Sequence, residues 1–81
     1  MEHPSVVFNK VAGRGFQRVS ASELKRLATD PMYSFLYAKA LSFKNIPVEI
    51  EKAIAKNKEL AAEVFNVLGK DTPKILKIAM K

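Results

Sequence analysis

The sequence predicts an all-α chain of five or six short helices. Three observations lead there. Helix-start signals recur along it: Ser20-Ala-Ser-Glu23 with the spacing of a capping box, Asp30-Pro31, Ile46-Pro47 and Thr72-Pro73. Between these signals the apolar residues fall at helical rather than alternating spacing. A hydrophobic content of 48% is that of a folded chain, not a disordered one.

Residues 1–4 are expected to be frayed. The next stretch, SVVFNKVA at 5–12, reads two ways. Val6-Val7-Phe8 has strand propensity, yet Val7, Phe8, Val11 and Ala12 share a helical face, with Pro4 before them and Gly13 at a C-cap position. A lone strand would lack a partner, so a short helix is the better reading. Helices follow over 20–28, 31–44, 47–56, 58–68 and 73–80. Segment 31–44 is apolar around most of its circumference (Met32, Tyr33, Leu36, Tyr37, Ala40, Leu41, Phe43), as a central helix would be. Segment 47–56 turns Ile50, Ala53 and Ile54 inward and Glu49, Glu51, Lys52 and Lys56 outward. Segment 58–68 is expected to bury Leu60, Val64, Val67 and Leu68. The last one gives Ile75, Leu76, Ile78, Ala79 and Met80 to the core and aligns Lys74, Lys77 and Lys81 in a basic stripe.

The segments SASELKRLATD (20–30), PVEIEKAIAKN (47–57) and PKILKIAMK (73–81) each open on a helix-start residue. Each places an apolar residue seven positions later: Leu27, Ile54, Met80. A spacing of 27 and then 26 residues predicts a two-helix unit used about two and a half times, stacked along one dimension. The strings DPMYSFLYAKAL, IPVEIEKAIAKNKELAAEVFNVL and NKVAGRGFQRVSASEL resemble the degenerate short α-helical repeats of phage and bacterial proteins of unknown function. The resemblance implies a helical array and no catalytic activity, so it transfers no site residues. The chain departs from that pattern at Lys58, where a junction proline would stand, and in having no proline between Lys10 and Ser20.

Fourteen Lys and Arg against eight Asp and Glu give a formal charge of +6, which attracts polyanions. The absence of cysteine excludes disulfides and thiolate metal sites and suits a reducing, cytoplasmic setting. No apolar run approaches the roughly 20 residues of a membrane span, and His3, Pro4, Ser5, Asn9 and Lys10 interrupt any signal-like stretch, so no membrane partner is expected. Catalysis and cofactors are not expected either. His3 is terminal, Glu49 and Glu51 diverge on their helix, and Glu59 and Glu63 point away from the core. No metal-ligand spacing is present, and Gly-Arg-Gly at 13–15 is too short to cradle a phosphate.

The basic residues divide into two groups. Lys25, Arg26, Lys44, Lys52, Lys56, Lys77 and Lys81 sit in or near last helical turns, where they complement the macrodipole. Lys10, Arg14 and Arg18 are set apart: Lys10 also falls at a helix end, while the two arginines flank the glycines of a segment without acids. The arginine fork suits phosphates and carboxylates alike. Phe16, between the arginines, is read as a core plug ahead of a base-stacking residue. Phe35 beside Lys39 is a second aromatic–cation candidate, set behind the reading in which another repeat helix covers it. The candidate binding residues are thus Lys10, Arg14, Arg18, Lys25, Arg26, Phe35 and Lys39. Nucleic acid, held by its phosphates, is the first expected partner and an acidic protein surface the second.

Overall fold

The computed structural model describes residues 3–80. They form six α-helices and no strand: α1 (Pro4–Gly13), α2 (Ala21–Leu27), α3 (Pro31–Ala40), α4 (Val48–Ala55), α5 (Lys58–Leu68) and α6 (Lys74–Ala79), with a 3₁₀ turn at Gly69–Asp71. The ambiguous stretch 5–12 is helical. The helices pair as α1–α2, α3–α4 and α5–α6, one helix out of step with the units that the sequence pattern started at 20, 47 and 73, so the six make three pairs and not two and a half.

The start of each unit shows the period most clearly. His3, Asp30 and Asn57, 27 residues apart, are the N-caps of α1, α3 and α5. Each accepts a hydrogen bond from the backbone N–H two residues on: His3 Nδ1 from Ser5 at 3.1 Å, Asp30 Oδ1 from Met32 at 2.9 Å, Asn57 Oδ1 from Glu59 at 3.0 Å. Satisfying that orphan donor is what a capping side chain does. His3 and Pro4 are therefore part of a capped helix rather than a frayed end; residues 1 and 2 lie outside the described residues. Ser20 caps α2 through the capping box that its sequence announces. Pro47 and Pro73 stand at the same N-cap position of α4 and α6, one residue before the helix.

The ends of α1 and α3 are built alike. Gly15 N–H donates to the Ala12 carbonyl at 3.0 Å and Phe16 N–H to that of Val11 at 2.9 Å. One period later Ser42 donates to Lys39 at 2.9 Å and Phe43 to Ala38 at 2.8 Å. This pair of bonds is the Schellman motif, which needs a left-handed residue. Here two consecutive residues are left-handed: Gly15 (φ +69°) with Phe16 (+60°), and Ser42 (+57°) with Phe43 (+57°). Helix α3 consequently stops at Ala40, four residues short of the sequence expectation. The usual glycine signal is missing because a serine holds the left-handed position. Each phenylalanine then folds back on a ring of the preceding helix. The Phe8–Phe16 centroids are 5.6 Å apart and those of Phe35–Phe43 5.8 Å, the same pair one period on. The third unit has Ala62 and Lys70 at these positions and ends instead in the 3₁₀ turn, where Thr72 Oγ1 donates to the Gly69 carbonyl at 2.6 Å.

Leu27, Ile50, Ile54 and Leu76, from the second helix of each pair, are fully buried with Val11 and Val64 from the first. Ser34 is buried among them, its hydroxyl donating to the Leu27 carbonyl at 2.8 Å. Of the residues expected in the core, Val67 and Ile78 are exposed. Val67 stands at a register position that is exposed in all three units, as Gly13 and Ala40 are, and Ile78 takes the outward position of Lys25 and Lys52. Conversely, Glu51 is half-buried rather than outward, and burial raises its carboxyl pKa above 4.5. The longest dimension, 34 Å, suits three pairs stacked at the roughly 8–10 Å spacing of packed helices. Neighbouring pairs touch; neither α1 nor α2 packs against α5 or α6.

Candidate polyanion interface

The segment around the glycines meets in space the acid that it lacks in sequence. Arg14, the C-cap of α1, donates from Nη2 to Glu23 Oε1 at 2.7 Å, and the same oxygen accepts the Ser20 N–H of the capping box at 2.9 Å. The Arg14 hydrogen bond, and after it the Ser20 amide, hold the Glu23 carboxyl down at a pKa of about 2. Arg14 is half-exposed, but its charge is compensated within the fold.

Arg18 is different. It lies in the connector to α2, exposed, with φ +54°. The equivalent residue one unit on is Asn45, at φ +51°. Asparagine tolerates the left-handed region through local hydrogen bonding, whereas for other side chains it costs roughly 1–2 kcal/mol. An arginine there is a poor choice for the connector alone.

Lys25 and Arg26 lie in the last turn of α2. With Ser22 and Thr29 they line a shallow cleft of about 460 Å³ on the outer side of that helix. The spacing i, i+3, i+4, i+7 puts the four on one face. Sequence inspection singled out the cations but not the two hydroxyl residues, although the same spacing would have gathered them. A second depression, about 300 Å³, is lined by Ala21, Ser22, Leu24, Lys25 and Glu49, so the outer faces of α2 and α4 are continuous. Lys52 repeats the register of Lys25 on α4.

The remaining candidates are spread out. Lys10 and Lys39 are exposed in the last turns of α1 and α3. Phe35 stacks on Phe43 and is packed against the core, and Phe16 does the same between Phe8 and Tyr37, as a core plug should. In the C-terminal stripe, Lys77 Nζ donates to the Lys70 carbonyl at 2.9 Å, while Lys81 lies outside the described residues. Among the described residues no cluster of His, Asp and Glu could hold a metal ion, and no helix is long and apolar enough to cross a membrane. No protein family, curated protein or solved structure was found to match this chain.

Proposed function

We propose that this protein is a non-enzymatic nucleic-acid-binding module that grips the phosphate backbone with α2 and the connector before it. The observation that carries the reading is the α2 cleft, where Lys25 and Arg26 share one helix face with Ser22 and with Thr29, whose Oγ1 donates to the Arg26 carbonyl at 2.6 Å. Hydroxyls and basic side chains are the groups that contact phosphate oxygens, and such contacts position without reading sequence. Arg18 extends the surface: it is an exposed cation at φ +54°, where the equivalent residue one unit on is Asn45. Lys10 and Lys39 add cations at neighbouring helix ends, and the net charge of +6 draws polyanions toward the whole surface. Arg14 belongs to the fold and Phe35 to the core, so neither has a part in this reading.

The test is binding of the full chain to labelled single- and double-stranded RNA and DNA at about 50 and about 200 mM salt. Affinity should fall steeply with salt. Changing Lys25 and Arg26 together to Ala should reduce the log–log slope by about 2, and Arg18→Asn by about 1, the latter without loss of thermal stability. Arg14→Ala should lower stability and leave the slope unchanged. Absence of binding at the lower salt overturns the reading.

An acidic protein surface is the second reading. It is favoured by the depression where Leu24 and Ala21 accompany Lys25 and Glu49. Apolar side chains with charges of both signs suit a protein better than a phosphate chain.

A further inference from the structure

The three equivalent caps, His3, Asp30 and Asn57, do one job with side chains of different acid–base character. Asp30 is an anion at a helix N-terminus, where the macrodipole favours negative charge, and Asn57 does not titrate. His3 is the one of the three that can become a cation. Its geometry requires the neutral ring. Nδ1 accepts the Ser5 N–H at 3.1 Å, so that nitrogen carries a lone pair and the ring proton sits on Nε2. The Ser5 hydroxyl lies 2.8 Å from the same nitrogen. The ring also meets Tyr33, in the first turn of α3, edge-on with centroids 6.3 Å apart, and Tyr33 lies 5.7 Å from Phe8. One imidazole therefore both starts α1 and joins it to the middle pair.

We propose that His3 is a pH-sensitive lock on the first helix, closed while its imidazole is neutral and released when it takes up a proton. A proton on Nδ1 turns the acceptor into a donor. The charged ring can still donate to Ser5 Oγ, but the Ser5 N–H is left without its acceptor. The new charge stands at a helix N-terminus, where the macrodipole opposes it. Among the described residues no acid occupies the first turn of α1 to offset that charge, whereas Glu23, Glu49 with Glu51, and Glu59 stand in the first turns of α2, α4 and α5. The contact with Tyr33 sets His3 beside the junction of α2 and α3, whose charged groups are Lys25, Arg26 and Asp30. The two cations add to the opposition, and the one acid, Asp30, already accepts the Met32 N–H at 2.9 Å. The sign follows: the cap contributes above about pH 6.5, where imidazole ordinarily gives up its proton, and is lost as pH falls through that range.

Nitrogen NMR of the ring, the one histidine in the chain, and thermal melts of the full chain between about pH 8 and about pH 5.5 test this. At the higher pH the ring should be the Nε2–H tautomer. At the lower pH the Cα shifts of residues 4–7 should move toward coil, while those of 31–34 and 58–61, behind the other two caps, stay helical. His3→Asn installs the cap that the third unit uses. Across the same range the Tm of the wild type should fall by a few degrees relative to that variant. Glu23 and Glu51 are present in both proteins, so their titration cancels in the difference. Ser5→Ala removes the hydroxyl, keeps the N–H, and should retain the loss. An Nδ1–H tautomer at the higher pH overturns the proposal, as do first-turn shifts that stay helical at the lower pH. So does a Tm difference that ignores pH, or a loss abolished by Ser5→Ala, which would assign the effect to the hydroxyl.

Discussion

Arg14 and Glu23 form at one end of the array an ion pair, 2.7 Å long, at the two positions where the following units place leucine and isoleucine or two leucines. The pair ties the C-cap of α1 to the first turn of α2 and completes the capping box from outside. Because the folded-state pKa of Glu23, about 2, lies below its ordinary 4.5, the pair stabilises the fold fully above pH 4.5. That contribution drains away as pH falls from 4.5 to 2.

Acid unfolding should report it directly. Arg14→Ala and Glu23→Gln are both expected to lower Tm at pH 7 and to flatten the fall of Tm between pH 4.5 and 2, measured by circular dichroism. A wild-type-like acid limb in either variant would contradict the assignment.

Glu51 should behave in the opposite sense. Burial raises its carboxyl pKa above 4.5, so its charge disfavours the folded state as pH rises through that raised value. Glu51→Gln is expected to raise Tm at pH 7, with the gain fading below pH 4.5. Thermal melts at pH 7 and pH 4 of both proteins check the sign.

The two glycines beside Arg14 should respond oppositely to alanine. A Cβ at either one would meet nothing within 4 Å, so backbone conformation alone decides. Gly13 is helical and has no positive φ, and Gly13→Ala should stabilise by about 0.5–1 kcal/mol. Gly15 is left-handed, and Gly15→Ala should cost about 1 kcal/mol. Ser42, its equivalent, should improve by about 0.5–1 kcal/mol on change to Gly. Urea denaturation with unchanged m-values is the measurement.

The folded-back phenylalanines carry unequal shares. Phe43 is buried between Phe35 and the core, so Phe43→Ala should cost about 3–5 kcal/mol. Phe16 remains partly exposed and Phe16→Ala should cost less. Equal losses would mean that the two phenylalanines are packed alike, against their unequal burial.

Helix type, number and period were legible because they rest on local chemistry: caps at Ser20 and Asp30, proline at 31, apolar spacing between them. The end of α3 was not, since Ser42 gives no sign that it adopts a left-handed φ that glycine would make cheap. Val67 and Ile78 were misplaced for a different reason. Helical spacing says which residues share a face, but not how far the neighbouring helix extends along it. The Arg14–Glu23 pair was hidden because it spans the connector: nothing in the interval from 14 to 23 indicates that the chain reverses and returns an acid to the arginine. Of the seven candidate binding residues, the α2 cations kept their surface position, while Phe35 was claimed by the Schellman phenylalanine of its own unit.

Among the described residues the middle helix pair is the sole intermediary between its neighbours, since neither α1 nor α2 packs against α5 or α6. Any displacement of α2 reaches the far end only by displacing α3 or α4. Loosening an outer pair should therefore leave a two-pair remnant, whereas loosening α3 and α4 uncouples everything. Amide exchange read pair by pair should be slowest in the middle.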